Sequence, residues 1–308
     1  MSQKIIPHLW FDKEAIEAAE FYTSVFGSQD KQAESKIKFV TTLHDTPSGD
    51  ADIISFSLWG YSFMAINAGP LFKFNPSISF MINFDPSQLN DAGTQMDIVW
   101  DKLATGGNIL MPLDKYPFSD KFGWIQDKYG ISWQMILTHP KGEVRPLIMP
   151  FLMFVGNVAG KSEEATDFYI SVFKNSLRGA MQRYTSGQDP DKEGTVLFTD
   201  FMLEGQWFVS MDSAHKHEFA FNEAISLLVH CDTQKEIDYY WEKLSADPTS
   251  EQCGWLKDKY GVSWQISPAI MDEMMSKGSR EQIERVTQAF LPMKKMDIAE
   301  IKKAYEGK

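Results

Sequence analysis

The sequence predicts an α+β protein made by tandem duplication, each half holding two βαβββ modules. Three observations carry this expectation: residue blocks that recur about halfway along the chain, an order of strand and helix patterns that recurs within each half, and helix-start signals at matching places in both copies. The residue blocks are the plainest. Phe21-Tyr22-Thr23-Ser24-Val25-Phe26 returns as Phe168-Tyr169-Ile170-Ser171-Val172-Phe173, at an offset of 147. Phe74-Asn75 with Ile78-Ser79-Phe80 returns as Phe221-Asn222 with Ile225-Ser226-Leu227 at the same offset. The stretch from Gly123 to Gln134 returns from Gly254 to Gln265 at an offset of 131. A fixed order with a drifting offset means one ancestral unit with an insertion, placed at 106–122 of the first half. Solenoid repeats run about 20–50 residues, so a period this long reads as two whole domains. They are expected at 1–140 and 146–270, with a C-terminal helical tail at 271–308. The boundary falls near Thr138-His139-Pro140-Lys141-Gly142-Glu143-Val144-Arg145-Pro146, which has the Pro, Gly and charge content of a linker.

The elements follow in order. Residues 5–11 read as a strand and 14–26 as a helix. On that helix Ala15, Ala18, Ala19, Tyr22 and Val25 recur at helical spacing, and Gly27 sits where a C-terminal cap belongs. Strand patterns follow at 36–44, 53–59 and 61–68. The order then repeats: a strand at 77–84, a helix at 94–103, and strands at 108–113, 123–127 and 131–137. Thr94 with Asp97, and Thr233 with Glu236, have the spacing of capping boxes. In the tail, Ser279 with Gln282 and Asp297 with Glu300 mark two short helices, with Ile283, Val286 and Phe290 as an apolar stripe. That tail is expected to cover a domain face; an oligomer contact is the sharper alternative.

Composition excludes classes. The 308 residues fit about two domains of roughly 150. A formal charge of −12 argues against nucleic-acid binding, which wants a basic patch. No apolar run approaches the roughly 20 residues that span a bilayer, and the start, Met1-Ser2-Gln3-Lys4, shows no secretory apolar region. Two cysteines make no disulfide framework, so cytoplasmic residence is expected.

Pro7-His8-Leu9-Trp10-Phe11, the Phe-Tyr-x-Ser-Val-Phe helix and the Gly-Trp-x-x-Asp-Lys-Tyr-Gly-x-Ser-Trp-Gln hairpin together resemble the vicinal-oxygen-chelate superfamily, which includes glyoxalase I, bleomycin-resistance proteins and extradiol dioxygenases. Gln252-Cys253-Gly254-Trp255 and the run Met293–Ala299 narrow the resemblance to PhnB-like proteins, some of which carry the name 3-demethylubiquinone-9 3-methyltransferase. The resemblance implies paired modules forming a half-open barrel around a ligand cleft. It leaves the reaction open, because one fold hosts many functions. Methyl transfer finds no support in the residues. A nucleotide-type cofactor site wants a glycine-rich turn after the first strand, and here Asp12-Lys13-Glu14-Ala15-Ile16 follows.

Metal-dependent relatives hold their ion with His, Glu or Gln from the first and last strands of paired modules. Alternation puts Ile6, His8 and Trp10 on one face of the first strand, the cleft face, and Ser132, Gln134 and Ile136 on one face of the last. Gln134 stands near where relatives place a carboxylate ligand. In the second half Phe151 replaces His8, Gln265 stands alone on its strand, and His230 with Asp212 completes no triad. A catalytic divalent site usually has three protein ligands, so His8 and Gln134 fall short and no resident metal or cofactor is expected. Trp10, Phe63 and Phe72 in the first domain, and Met149, Phe151, Met153 and Phe208 in the second, are candidates for an apolar cleft lining. Trp124, Trp133, Trp255 and Trp264 read as core, and the repeated Asp-Lys-Tyr-Gly quartets as tight strand connections.

The leading expectation is therefore a small-molecule-binding protein without a metal. Its candidate cleft residues are His8, Trp10, Asn67, Ser132, Gln134, Phe151, Asp212 and Gln265, its partner a small organic ligand, and the chain itself a pseudo-dimer able to form a homodimer. The alternatives are a metal-dependent lyase, isomerase or dioxygenase in the first-domain cleft, and a non-catalytic structural or interaction protein. Whether the chain catalyses anything is left open by its residues.

Overall fold

The structure is a computed structural model and describes residues 3–27 and 34–308; Met1 and Ser2 lie outside the described residues. Four modules follow one another. The first is β1 (Ile5–Phe11), α1 (Ala15–Val25), β2 (Lys36–Thr46), β3 (Gly49–Leu58) and β4 (Tyr61–Asn67). The second is β5 (Ile78–Phe84), α2 (Ala92–Ala104), β6 (Asn108–Tyr116), β7 (Ser119–Gln126) and β8 (Ser132–Leu137). The third is β9 (Ile148–Phe154), α3 (Ser162–Val172), β10 (Leu177–Arg183), β11 (Val196–Leu203) and β12 (Gln206–Asp212). The fourth is β13 (Ile225–Cys231), α4 (Gln234–Leu244), β14 (Trp255–Lys257) and β15 (Ser263–Pro268). In every module the first strand pairs in parallel with the last.

The α+β class and the tandem duplication stand as expected; the modules that share a sheet are not the two modules of one half. One compact unit comprises Met1–Lys73 with Phe221–Lys308, and the other Phe74–Ala220. In the first unit β1 pairs antiparallel with β13, giving the strand order β14-β15-β13-β1-β4-β3-β2. In the second, β5 pairs antiparallel with β9, giving β10-β11-β12-β9-β5-β8-β7-β6. The limits 1–140 and 146–270 follow the repeat, whereas the compact units follow the sheets. The reason is physical: all four modules present the same first strand as a free edge, so the repeat pattern does not specify which copy pairs with which.

Local chemistry explains the element ends. Asp127 and Asp258 organise the repeated quartets. Asp127 Oδ1 accepts the N–H groups of Tyr129 and Ile131 at 2.9 and 3.0 Å, and Oδ2 accepts Trp133 Nε1–H at 2.8 Å. Asp258 repeats this with Tyr260, Val262 and Trp264 at 2.9, 3.0 and 2.9 Å. The glycines that end the quartets, Gly130 and Gly261, take φ of 95° and 87°, where only glycine is unstrained. Thr233 caps α4 by accepting Glu236 N–H, as its spacing predicts. Thr94 does not cap α2, because Asp91 in the left-handed region starts that helix earlier, and Gly27 is not the left-handed cap of α1, which ends on Phe26.

The 106–122 insertion holds the whole of β6 and the first part of β7. The fourth module lacks a counterpart of β6, and the tail takes its place. The carbonyls of Met293 and Lys294 accept the N–H groups of Cys253 and Gly254 at 2.7 and 2.8 Å. The tail holds three helices rather than two: α5 (Ile270–Lys277), α6 (Arg280–Phe290) and α7 (Ile298–Glu306). Ser279 forms its capping box on α6 and Asp297 caps α7, whereas α5 begins at Ala269 with no side-chain cap, which is why the sequence did not signal it. Among the described residues, no helix is long and apolar enough to cross a membrane.

Candidate functional site

Alternation along β1 buries Ile5, Leu9 and Phe11 on the α1 side and turns Ile6 and His8 the other way, with Met64 and Leu228 from the neighbouring strands. A cavity of about 90 Å³ opens on this face. Its sheet-borne lining includes His8, Met64, Leu228 and Gln265, with Trp255 beside them; Met271, Met275, Phe290 and Met296 come from the tail. The tail thus covers the cleft of its own unit, the plainer of its two expected roles.

His8 is 4% exposed, and neither ring nitrogen has a hydrogen-bond partner among the described residues. Burial holds its pKa down at about 3, so near neutral pH the ring is uncharged and offers one donor and one acceptor. Its aromatic neighbour is Trp255, edge-on at 5.6 Å. Gln265 Nε2 donates to Ser226 Oγ at 2.7 Å. Cys253 borders the same cavity, but burial pushes its thiol pKa up and Sγ donates to the Leu291 carbonyl at 3.2 Å. A nucleophile needs the thiolate, so this cysteine is not poised as one. His230 Nε2 lies 3.4 Å from Asp272 without hydrogen-bond geometry.

The other predicted residues fall elsewhere. Trp10 donates from Nε1 to the Gly69 carbonyl at 2.8 Å and packs edge-on against Phe72 at 5.1 Å. Ser132, Gln134 and Phe151 belong to the other compact unit, so His8 and Gln134 form no pair within one unit; Gln265 joins His8 instead. In that unit Gln134 Nε2 donates to Ser79 Oγ at 3.0 Å, and Ser132 Oγ accepts Trp124 Nε1–H at 2.7 Å. Phe151, in the place of His8, sits in an apolar cluster with Met81, Met149 and Val209, against which Trp207 packs. The linker's Arg145 lies 3.9 Å over the Trp207 ring and donates to Asp200 at 2.7 Å, so a cation of the chain itself occupies that face.

Asn67 and Asp212 hold helix starts rather than lining a cleft. Asn67 Oδ1 accepts Ala15 N–H at 2.8 Å. Asp212 accepts Gly160 and Ser162 N–H on Oδ1 at 2.8 and 3.0 Å, and Val196 N–H on Oδ2 at 3.0 Å. Burial holds the Asp212 carboxyl above its ordinary pKa despite these bonds. Phe63 and Phe208 are likewise core: Phe63 stacks on Phe56 and Phe208 on Phe201, all fully buried. Trp133 and Trp264 are core as expected, but Trp255 is not. The signal for Trp255 was its cross-strand position opposite Gln265. For the tail, it was Met271 and Met275 one helical turn apart.

The fold family implies a divalent ion, and the residues present do not fit one. Among the described residues, no group of three or more His, Cys, Asp or Glu side chains is placed to hold a metal. His8 and the amide Gln265 are short of the usual three ligands.

Comparison with known proteins bears on both fold and family. A family model for 3-demethylubiquinone-9 3-methyltransferase matches twice, at residues 3–136 and 146–267. The PhnB protein from Bacillus cereus is 37% identical over 44% of this chain and 100% of its own, with a TM-score of 0.38. Glyoxalase I from Zea mays is 12% identical over 89% of this chain and 98% of its own, with a TM-score of 0.52, which shows the vicinal-oxygen-chelate fold. No curated protein matches. Both family matches stop short of α5, so the tail that closes the cavity lies outside them.

Proposed function

The chain belongs to the PhnB-like 3-demethylubiquinone-9 3-methyltransferase family, and from that premise we propose that it binds a small, uncharged, mostly apolar organic molecule in the His8 cavity without a resident metal. The observation that carries this reading is His8 itself: a buried, uncharged, unpartnered imidazole beside an apolar cavity. A hydroxyl or carbonyl bound in the cavity gives this ring the hydrogen bond it lacks, worth about 0.5–1.5 kcal/mol. Apolar walls with a few polar groups suit a neutral ligand, and Asp272, a carboxylate in the same lining, opposes an anion. Cys231 and Cys253 form no disulfide, which fits a reducing, cytoplasmic setting. Methyl transfer, the activity in the family's name, is not part of this reading.

A suitable probe is 1-naphthol, an apolar body with one hydroxyl. It is expected to raise the melting temperature of the protein, while 1-naphthalenesulfonate, of similar shape but charged, is not. His8→Phe, which installs the residue found at the matching place in the third module, is expected to weaken 1-naphthol about fivefold and to leave naphthalene unchanged. Equal stabilisation by the sulfonate, or none by any neutral compound, would overturn the reading. Protein never exposed to chelator is expected to carry well under one equivalent of metal. Near-stoichiometric zinc, iron or manganese would favour the metal-dependent alternative.

A further inference from the structure

The chain holds one residue pair in two arrangements. β7 and β8 align Trp124 with Gln134 and Gln126 with Ser132; β14 and β15 align Trp255 with Gln265 and Lys257 with Ser263. The backbone therefore offers each tryptophan a serine in the same register. Trp124 takes it, donating from Nε1 to Ser132 Oγ at 2.7 Å. Trp255 does not. Ser263 Oγ is buried with no hydrogen-bond partner, and the Trp255 indole stands edge-on to His8 and, at 6.3 Å, to Trp10.

Buried hydroxyls without partners are uncommon and call for an explanation. Here the missing partner is the indole, and it is missing because the ring borders the cavity instead. The cavity is also tight. Ligand pockets typically measure about 300–1,000 Å³, and a dry cavity of about 150 Å³ is known to take benzene; this one measures about 90 Å³.

We propose that Trp255 is a two-position residue that sets the size of the His8 cavity. Against His8 the indole keeps the cavity small. On Ser263, in the arrangement that Trp124 and Ser132 display, it vacates the space beside His8 and pairs the orphaned hydroxyl. A molecule filling that space binds the second arrangement better and so draws the ring across. The ligand class that follows is one with a planar body in the place of the indole and a polar atom at His8. This inference rests on the binding function proposed above and adds the residue that controls it.

The test uses full-length protein labelled with 5-fluorotryptophan, with the Trp255 signal identified through Trp255→Phe. Titration with 1-naphthol is expected to shift that signal in the wild type. Ser263→Ala is expected to weaken 1-naphthol about fivefold and to suppress the shift, without lowering the melting temperature of the free protein, since the hydroxyl it removes has no partner. Ser132→Ala, which breaks an existing bond, is expected to do the reverse: lower the melting temperature and leave 1-naphthol binding unchanged. If Ser263→Ala binds 1-naphthol as the wild type does, or lowers the melting temperature of the free protein as Ser132→Ala does, the two-position role is wrong and the binding function stands. If the wild type shows no His8-dependent binding of 1-naphthol, both fall.

Discussion

Acidification from pH 6.5 to 4.5 is expected to remove about 2 kcal/mol more stability from the wild type than from His8→Phe. The sign follows from the folded ring having the lower pKa, about 3 against the ordinary 6.5 of an exposed histidine. The unfolded chain takes up the proton first, so it binds more protons throughout this window. Stability contributed by neutral His8 is therefore fully present above pH 6.5 and lost as the pH falls toward 3, at a limiting slope of about 1.4 kcal/mol per pH unit. The cause is burial, which withdraws solvent from the imidazolium with no carboxylate hydrogen-bonded to the ring to offset it. Denaturant titrations of both proteins at pH 6.5, 5.5 and 4.5 measure the difference. Parallel pH profiles would mean that His8 meets water or an anion in solution.

Asp258→Ala is expected to cost about 3–5 kcal/mol, the largest stability loss from any single truncation considered for the His8 unit. The carboxylate satisfies the N–H groups of Tyr260 and Val262 and the indole N–H of Trp264. All sit in the interior, so truncation strands three donors at once, each worth about 1–3 kcal/mol when buried and unpaired. Because β14 and β15 flank this turn and carry Trp255 and Gln265, the same change is expected to weaken 1-naphthol binding. Asp127→Ala removes the matching acceptor in the other unit and is expected to destabilise similarly while sparing the cavity. Urea unfolding followed by tryptophan fluorescence, with 1-naphthol titration of each folded variant, distinguishes the two. A loss under 1 kcal/mol in Asp258→Ala would contradict the three-donor argument.

The parts of this fold that were legible in the sequence are those set by short-range rules. Period-two alternation placed His8 on the cleft face and Leu9 against α1, because the two faces of β1 differ in polarity only at His8 and its neighbours. The Asp-Lys-Tyr-Gly turns were legible because only glycine sits comfortably at the required φ. Module pairing was not legible: β1, β5, β9 and β13 are homologous edges, and the choice among them depends on long-range contacts. The helix-start roles of Asn67 and Asp212 are not legible for a related reason. Each ends its strand on the helix side, where a polar side chain serves backbone N–H groups at a helix start. The sequence context of Trp255 matches that of Trp124, and only the three-dimensional contacts separate a tryptophan on its serine from one beside a cavity.

The binding claim is most directly tested by a crystal of the full-length protein soaked in 1-naphthol. The expected result is the naphthol ring in the His8 cavity, its hydroxyl within hydrogen-bond distance of a His8 ring nitrogen, and the Trp255 indole on Ser263. Difference density for 1-naphthol at another place, with the His8 cavity unchanged and its imidazole still unpaired, would contradict it.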